Sequence, residues 1–384
     1  MTVRVMVVDD EPDVEEMLRQ RLRRRVRSGE LELIFASDGN DALAKLARSG
    51  AVDLVLTDIN MPGMDGLTLL SHLTPLRFET KTVVVSAYGD IKNIRTAMNR
   101  GAFDFITKPI EFDDLEKTIE RTADEVSVLR RAARHATEMN SARLIQTGLL
   151  PNVESSFADE TRFDLHARIE QAREVGGDFY DFYMTGPDDM FLVIGDVSGK
   201  GLASGILMAM TKSLIKASAF RHKNDPGAVL DEVNSNLCND NPGLHFVTLS
   251  LVHVNCATGA LKIASAGHEP VVLCKPGQTA LKQVESNAPP IGITSGLNFQ
   301  SIEHQMSVGE AIVLLTDGLS EANDPNGNLF GRARISTIAG TLVPDAPASA
   351  LVDALFQGVA AHRAGAPQSD DLAVLSMIWR GEAT

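Results

Sequence analysis

The sequence predicts an α/β doubly wound domain over residues 1–110, a helical coiled-coil linker over 111–140, and an α+β sandwich flanked by helices over 141–384. Three observations carry this. Short β-branched runs alternate with amphipathic stretches as far as Ile110, the pattern of a parallel sheet covered on both faces. Beyond Pro109 apolar residues recur in alternating steps of four and three. From Ser141 onward apolar alternating runs dominate, with two plain helical stretches between them.

In the first region the strands are Val3–Val8, Leu31–Ala36, Leu54–Leu56, Thr82–Ser86 and Phe103–Ile106. Helices are predicted at Val14–Arg25, Ala42–Ala47, Leu67–Leu73 and Ile91–Arg100. The linker seam comprises Leu115, Ile119, Thr122, Val126, Leu129, Ala133 and Ala136, with charged residues between them. About three heptads of this kind fit a coiled-coil homodimer, or a single helix docked on its own domain. Asn140 continues the seam with a polar group. In the third region strands are predicted at Phe163–Ile169, Phe179–Tyr183, Phe191–Asp196, Val247–Asn255, Leu261–Ala266, Val271–Cys274, Ala311–Thr316 and Leu372–Trp379. Its helices are Leu202–Phe220 and Pro226–Leu237.

The 384 residues allow two or three domains with large cores. A net charge of -15 argues against a broad nucleic-acid-binding surface, so no nucleic-acid partner is expected. Cys238, Cys256 and Cys274 lack metal-like spacing and fit a reducing compartment. No leader-like or membrane-spanning stretch is evident, so a cytoplasmic protein without membrane attachment is expected.

Acidic residues cluster at strand ends. Asp9 and Asp10 close the first strand, Asp58 the third, Ser86 the fourth, and Lys108 precedes Pro109. At the carboxyl edge of a parallel sheet these residues converge in one crevice. Three carboxylates, a hydroxyl and an ammonium suit a Mg²⁺ site in which one Asp accepts a phosphoryl group. The competing reading is that Asp9 and Asp10 only cap the next helix. This constellation resembles the CheY-like receiver domain of two-component response regulators. The resemblance implies Asp58 as phosphoacceptor, Asp9 and Asp10 as Mg²⁺ ligands, Ser86 and Lys108 as phosphoryl contacts, and Phe105 as an aromatic switch. It also implies a histidine kinase or phosphotransfer protein as partner.

Four further segments carry Asp beside Gly or at a strand end: Gly176-Gly177-Asp178, Gly195-Asp196-Val197-Ser198-Gly199-Lys200-Gly201, Thr316-Asp317-Gly318 and Ser369-Asp370-Asp371. Clustered carboxylates repel, so a site that gathers them calls for cations. Oxygen-only ligands point to Mg²⁺ or Mn²⁺. Two such ions about 4 Å apart can acidify water and hold a phosphoryl group. Lys200 does not form a Walker phosphate loop and reads as a solvent-facing residue at a helix start. His268 reads as a hydrogen-bonded turn residue rather than a general acid.

With Ile145-Gln146-Thr147-Gly148-Leu149-Leu150-Pro151 and Ala266-Gly267-His268, these motifs resemble the PPM family of metal-dependent serine/threonine phosphatases in its SpoIIE- or RsbU-like branch. The resemblance implies that Asp178 and Asp196 bridge two metals with help from the Val197 carbonyl. Asp317 and Asp370 would complete the second metal, with Asp371 a ligand or a supporting partner. Arg173, five residues before Asp178, is a candidate phosphate clamp. Ala373 and Glu269 depart from the family pattern, where a small hydroxyl residue and Asn are common. The implied substrate is a phosphorylated anti-sigma-factor antagonist, supplied in trans, in a partner-switching pathway. A phosphorylation-controlled binding adaptor is the alternative from another class, and a receiver-controlled nucleotide hydrolase or cyclase ranks behind both.

Overall fold

The computed structural model describes residues 2–381, apart from 51, 75–79, 88, 158, 240–244, 276–281, 287 and 342–345. The chain divides into two compact units, Met1–Glu138 and Met139–Thr384.

The first unit contains β1 (Val3–Val8), α1 (Pro12–Arg21), α2 (Arg23–Arg27), β2 (Leu31–Ala36), α3 (Gly39–Ser49), β3 (Leu54–Asp58), α4 (Gly66–Leu73), β4 (Lys81–Ala87), α5 (Ile91–Asn99), β5 (Asp104–Lys108) and most of α6 (Phe112–Leu149). The strands form a parallel sheet in the order β2-β1-β3-β4-β5. Alternation sends Val5, Val7, Leu54, Leu56, Val83 and Val85 to one face, where they pack with Leu18, Leu22, Leu115 and Ile119. Met6, Val8 and Val55 face the other side, against Ala42, Leu69 and Leu73. The strand order reverses at β1 and β3, which opens the crevice where Asp9, Asp10 and Asp58 lie.

Two sequence expectations are modified here. The helix expected over Val14–Arg25 is interrupted at Leu22, whose φ of -89° and ψ of 4° leave helical geometry while its side chain stays in the core. The linker is one helix of 38 residues that begins at Phe112 and continues past Asn140 to Leu149. The first half of its apolar seam is occupied within its own unit. Leu115, Ile119, Thr122 and Val126 are buried, whereas Leu129 is half-buried and Ala133, Ala136 and Asn140 are exposed. Arg130 reinforces this docking through an ion pair with Asp53, whose other oxygen accepts the Arg4 N–H at 2.6 Å. Truncating a buried leucine such as Leu115 costs about 2–5 kcal/mol, so the docked half belongs to the fold of the unit.

The second unit contains α7 (Val153–Ser156), β6 (Phe163–Glu170), β7 (Phe179–Met184), β8 (Asp189–Val197), α8 (Leu202–His222), α9 (Pro226–Asn239), β9 (Val247–Asn255), β10 (Ala260–Ala266) and β11 (Val271–Cys274). There follow β12 (Lys282–Val284), β13 (Ile302–Gln305), β14 (Ala311–Leu315), α10 (Asp317–Ser320), α11 (Gly331–Ala339), α12 (Ala348–Arg363) and β15 (Leu372–Trp379). Two antiparallel sheets form, in the orders β13-β10-β9-β8-β7 and β12-β11-β14-β15-β6. Their inner faces meet through Phe182, Leu192, Ile194, Val252, Leu314, Leu375 and Met377. The outer face of the first sheet uses Phe179, Phe191 and Val193 to hold Met208, Ile215, Val229 and Val233 of α8 and α9. That of the second uses Val313, Leu372 and Val374 to hold Leu351, Val352 and Leu355 of α12. The result is a helix–sheet–sheet–helix stack. Among the described residues no helix is long and apolar enough to cross a membrane.

Candidate functional site

In the first unit Asp9, Asp10 and Asp58 bring carboxylate oxygens within 4.8 Å of one another. Lys108, at the end of β5, places Nζ 2.5 Å from Asp58 Oδ2 and 3.1 Å from both Asp9 and Glu11. Burial opposes its charge, yet hydrogen bonds to Asp58, Glu11 and Asp9 outweigh it and hold the ammonium well above its ordinary pKa. Burial pushes the Asp9 carboxyl up. The capping alternative is not realised. Glu11 is the N-cap of α1 and its side chain makes no cap hydrogen bond, while Asp9 Oδ1 accepts only the Glu11 N–H, at 2.9 Å. The acidic triad is consistent with a Mg²⁺ site. Ser86 Oγ is buried and has no hydrogen-bond partner among the described residues, an orphan hydroxyl of the kind an arriving phosphoryl oxygen would satisfy. Phe105 is 40% exposed, with its ring outside the core.

In the second unit four loops meet at one edge of the sandwich. Asp178 immediately precedes β7, Asp196 is near the end of β8, Asp317 opens α10 behind β14, and Asp370 and Asp371 precede β15. The loops approach so closely that side chains are excluded. A Cβ added at Gly177 would lie 2.5 Å from the Val197 carbonyl oxygen and 2.9 Å from Asp196 Oδ1, and one added at Gly318 would lie 1.8 Å from the Asp371 carbonyl oxygen. Glycine at both positions is what lets Asp178, Asp196 and Asp317 share one neighbourhood.

Their electrostatics agree. Asp178 is 2% exposed, and burial, then the Asp196 charge, pushes its carboxyl well above the usual range. Asp196 is raised by burial too, with Asp370 and Asp371 adding to the effect. The carboxyl of Asp317 is pushed up to about 6 by burial, reinforced by Asp196, Glu321 and Asp370. Ionising this set together calls for cations. The set is nonetheless looser than the first: among the described residues only Asp9, Asp10 and Asp58 gather three carboxylate oxygens within 4.8 Å. The donor set is oxygen-only and fits hard divalent ions, with Asp178, Asp196, Asp317, Asp370 and the Val197 carbonyl available.

Asp371 is engaged differently. Its Oδ1 accepts the Ala172 N–H at 2.8 Å and its Oδ2 the Gly177 N–H at 3.0 Å, so it ties down the loop that delivers Asp178. Thr316 donates to Asp178 Oδ2 at 2.6 Å while accepting the Ala373 N–H at 3.0 Å. Arg173 is exposed on the same loop and makes no hydrogen bond or ion pair among the described residues. His268 is buried, its Nδ1 lies 2.8 Å from Thr248 Oγ1, and burial pushes its pKa down to about 4, so it is neutral near pH 7. Glu269 is bound by Arg332 at 2.8 Å. Lys200 is exposed just before α8, in line with its sequence reading, and its ammonium also reaches Asp370 Oδ2, at 3.2 Å.

Gln146 carries a role its motif did not disclose. It is 4% exposed near the end of α6; its Nε2 donates to the Gly176 carbonyl at 2.7 Å, and its Oε1 accepts the Gly176 N–H at 3.2 Å and Gln171 Nε2 at 3.0 Å. The helix is thereby stitched to the loop that bears Asp178. Gln146→Ala leaves two buried backbone groups unpaired, at about 1–3 kcal/mol each. We expect a 10- to 100-fold loss of metal affinity or turnover, the usual range for a residue that orients a ligand. Titration of the variant with Mn²⁺ checks this, and wild-type affinity and turnover together would refute it.

Comparison with known proteins adds to this geometry. The family model described as Stage II sporulation protein E (SpoIIE) matches residues 186–380, and that described as Response regulator receiver domain matches residues 5–120. The chain is 27% identical over 270 residues to Protein IcfG of Synechocystis sp., an alignment covering 62% of this chain and 41% of that protein. It is 32% identical over 142 residues to the DNA-binding transcriptional regulator NtrC of Salmonella typhimurium, covering 37% of this chain and 27% of that one. The chain therefore spans less than half the length of either relative. In fold it is similar to the SiaA-PP2C domain of Pseudomonas aeruginosa, with a TM-score of 0.57 at 20% identity over 66% of this chain and 99% of that one.

Proposed function

Since this chain belongs to the Stage II sporulation protein E family and carries a response regulator receiver domain ahead of the matched segment, we propose that it is a protein phosphatase controlled by phosphorylation of Asp58. In this reading residues 1–110 are the receiver, 111–140 the linker and 141–384 the phosphatase. A receiver domain implies phosphotransfer from a kinase, and a histidine kinase or phosphotransfer protein would supply the phosphoryl group.

The observation that carries the proposal is the meeting of Asp178, Asp196, Asp317 and Asp370 in one cluster whose buried members resist ionisation. Asp178 and Asp196, with the Val197 carbonyl, would hold one edge of a two-cation site, and Asp317 and Asp370 the other. Bound there, Mn²⁺ or Mg²⁺ supplies the Lewis acidity that activates water and neutralises the transferring phosphoryl group. Asp371 and Thr316 keep Asp178 oriented, and Arg173 is free to clamp the incoming phosphate. The substrate we assign is a phosphoserine or phosphothreonine on a separate protein, an anti-sigma-factor antagonist in a partner-switching pathway. The less buried part of the linker seam, half-buried Leu129 with exposed Ala133 and Ala136, is the part available for a homodimer.

The direct test is release of phosphate from a phosphoserine protein by the intact chain. Turnover is expected with Mn²⁺ and its loss on chelation. Absent turnover with retained capture of the phosphoprotein would instead identify a binding adaptor.

A further inference from the structure

We propose that Lys200 exchanges partners during the reaction cycle: a divalent cation displaces its ammonium from Asp370, and the released ammonium then binds the substrate's phosphate. This rests on the phosphatase reading above. Lys200 lies between Gly199 and Gly201, with φ of +94° and +87°, conformations that favour glycine and fix where the loop after β8 points the side chain. The ammonium bridges to the 369–370 loop, 3.0 Å from the Ser369 carbonyl oxygen and 3.2 Å from Asp370 Oδ2. The other Asp370 oxygen already accepts the Asp371 N–H at 3.0 Å. A cation that takes Asp370 through Oδ2 therefore competes with Lys200 for that oxygen, and its charge repels the ammonium.

The displacement is easy and its consequence specific. Both side chains are about half exposed, 42% for Lys200 and 51% for Asp370, so the pair is worth little on its own. Lys200 also acts on the charge of Asp196, so its ammonium is felt by a second carboxylate of the site besides Asp370. Once freed it is a positive charge on a flexible stem beside the site where a phosphate dianion is held, and Lys serves there as a mobile point charge. This makes Lys200 a phosphate-binding residue whose availability depends on metal loading, and so links the order of binding: cation first, phosphoprotein second.

Calorimetric titration of the full chain tests this with two probes, Mn²⁺ alone and inorganic phosphate at saturating Mn²⁺. Lys200→Ala should bind Mn²⁺ about two- to five-fold tighter, because an exposed competing charge has been removed. The same variant should bind inorganic phosphate about ten-fold more weakly. Lys200→Arg, which keeps the charge, should return both affinities toward wild type. Weaker Mn²⁺ binding by Lys200→Ala would show that Lys200 builds the loop instead, and unchanged phosphate affinity would remove it from the substrate site; either overturns the proposal. Failure of the wild type itself to bind Mn²⁺ would sink the phosphatase reading, a result distinct from both.

Discussion

Asp178→Asn should reduce phosphatase turnover by about 10³-fold or more while raising the melting temperature of the metal-free C-terminal unit. The first effect follows from the several kcal/mol of transition-state charge stabilisation that bound cations provide, since 4 kcal/mol is roughly three orders of magnitude in rate. The second follows from burial. Asp178 is 2% exposed and stands next to Asp196, so its ionised form is unfavourable in the folded state, whereas Asn carries no charge and its carbonyl can still accept the Thr316 hydroxyl. A gain of about 1 kcal/mol corresponds to roughly 2–4 °C for a unit of this size. The pH dependence has a definite sign. Because the folded carboxyl is raised, the folded protein keeps a proton that the unfolded chain has lost above about pH 4. Wild-type stability therefore falls as pH rises from the unfolded toward the folded value, and the difference between variant and wild type grows over that window and then stays constant. Mn²⁺ should raise the melting temperature of the wild type and leave that of the variant nearly unmoved. A variant that Mn²⁺ stabilises equally, or that turns over at the wild-type rate, would remove Asp178 from the metal site.

What the sequence disclosed and what it withheld divide along physical lines. Strands buried on both faces, such as Val83–Val85, announce themselves as apolar runs, and Gly-Asp pairs mark places where loops crowd together. The two acidic groupings were therefore readable. Gln146 was not, because its neighbours Leu144 and Ile145 are 68% and 69% exposed while it is buried. Periodicity alone would bury the isoleucine. The amide is inside because Gly176 presents an N–H and a carbonyl that need partners, a fact of tertiary structure that no local pattern carries. For the same reason the sequence shows Lys200 as a surface residue, which it is, and leaves its contact with the 369–370 loop unread. The helix Ala348–Arg363 is hard to read although Leu351, Leu355 and Val359 recur at helical spacing, since Val352 and Phe356 next to them widen the apolar face and blur the contrast with the other. The linker seam is legible, but half of it covers the sheet of its own unit: an apolar stripe states that a face will be buried and leaves open by what.

Asp58→Ala should abolish the response of phosphatase rate and sedimentation to beryllofluoride, a mimic of the phosphoryl group, while the wild type changes in at least one of them. The variant loses the acceptor oxygen itself. In the wild type the resting site is already poised: Lys108 binds Asp58 and Asp9, and the buried Ser86 hydroxyl has no partner among the described residues. A phosphoryl oxygen that takes up the Ser86 hydroxyl recovers about 1–3 kcal/mol that the resting state forgoes. A ligand shifts an equilibrium only by its differential affinity, and this range corresponds to roughly 5- to 150-fold. The shift has a physical route out of the site. Ser86 lies one residue before the end of β4 and Lys108 ends β5, and Val83, Val85 and Ile106 on those strands share one core with Leu115 and Ile119 at the start of α6. The same helix bears Gln146 thirty-one residues further along, hydrogen-bonded to Gly176 two residues before Asp178. The expected response is one in which a change in how the start of α6 seats on the strands alters the Gln146–Gly176 contact beside Asp178. Wild-type protein that binds beryllofluoride with Mg²⁺ yet shows no change in turnover or sedimentation would break that route and leave the two sites as independent devices on one chain.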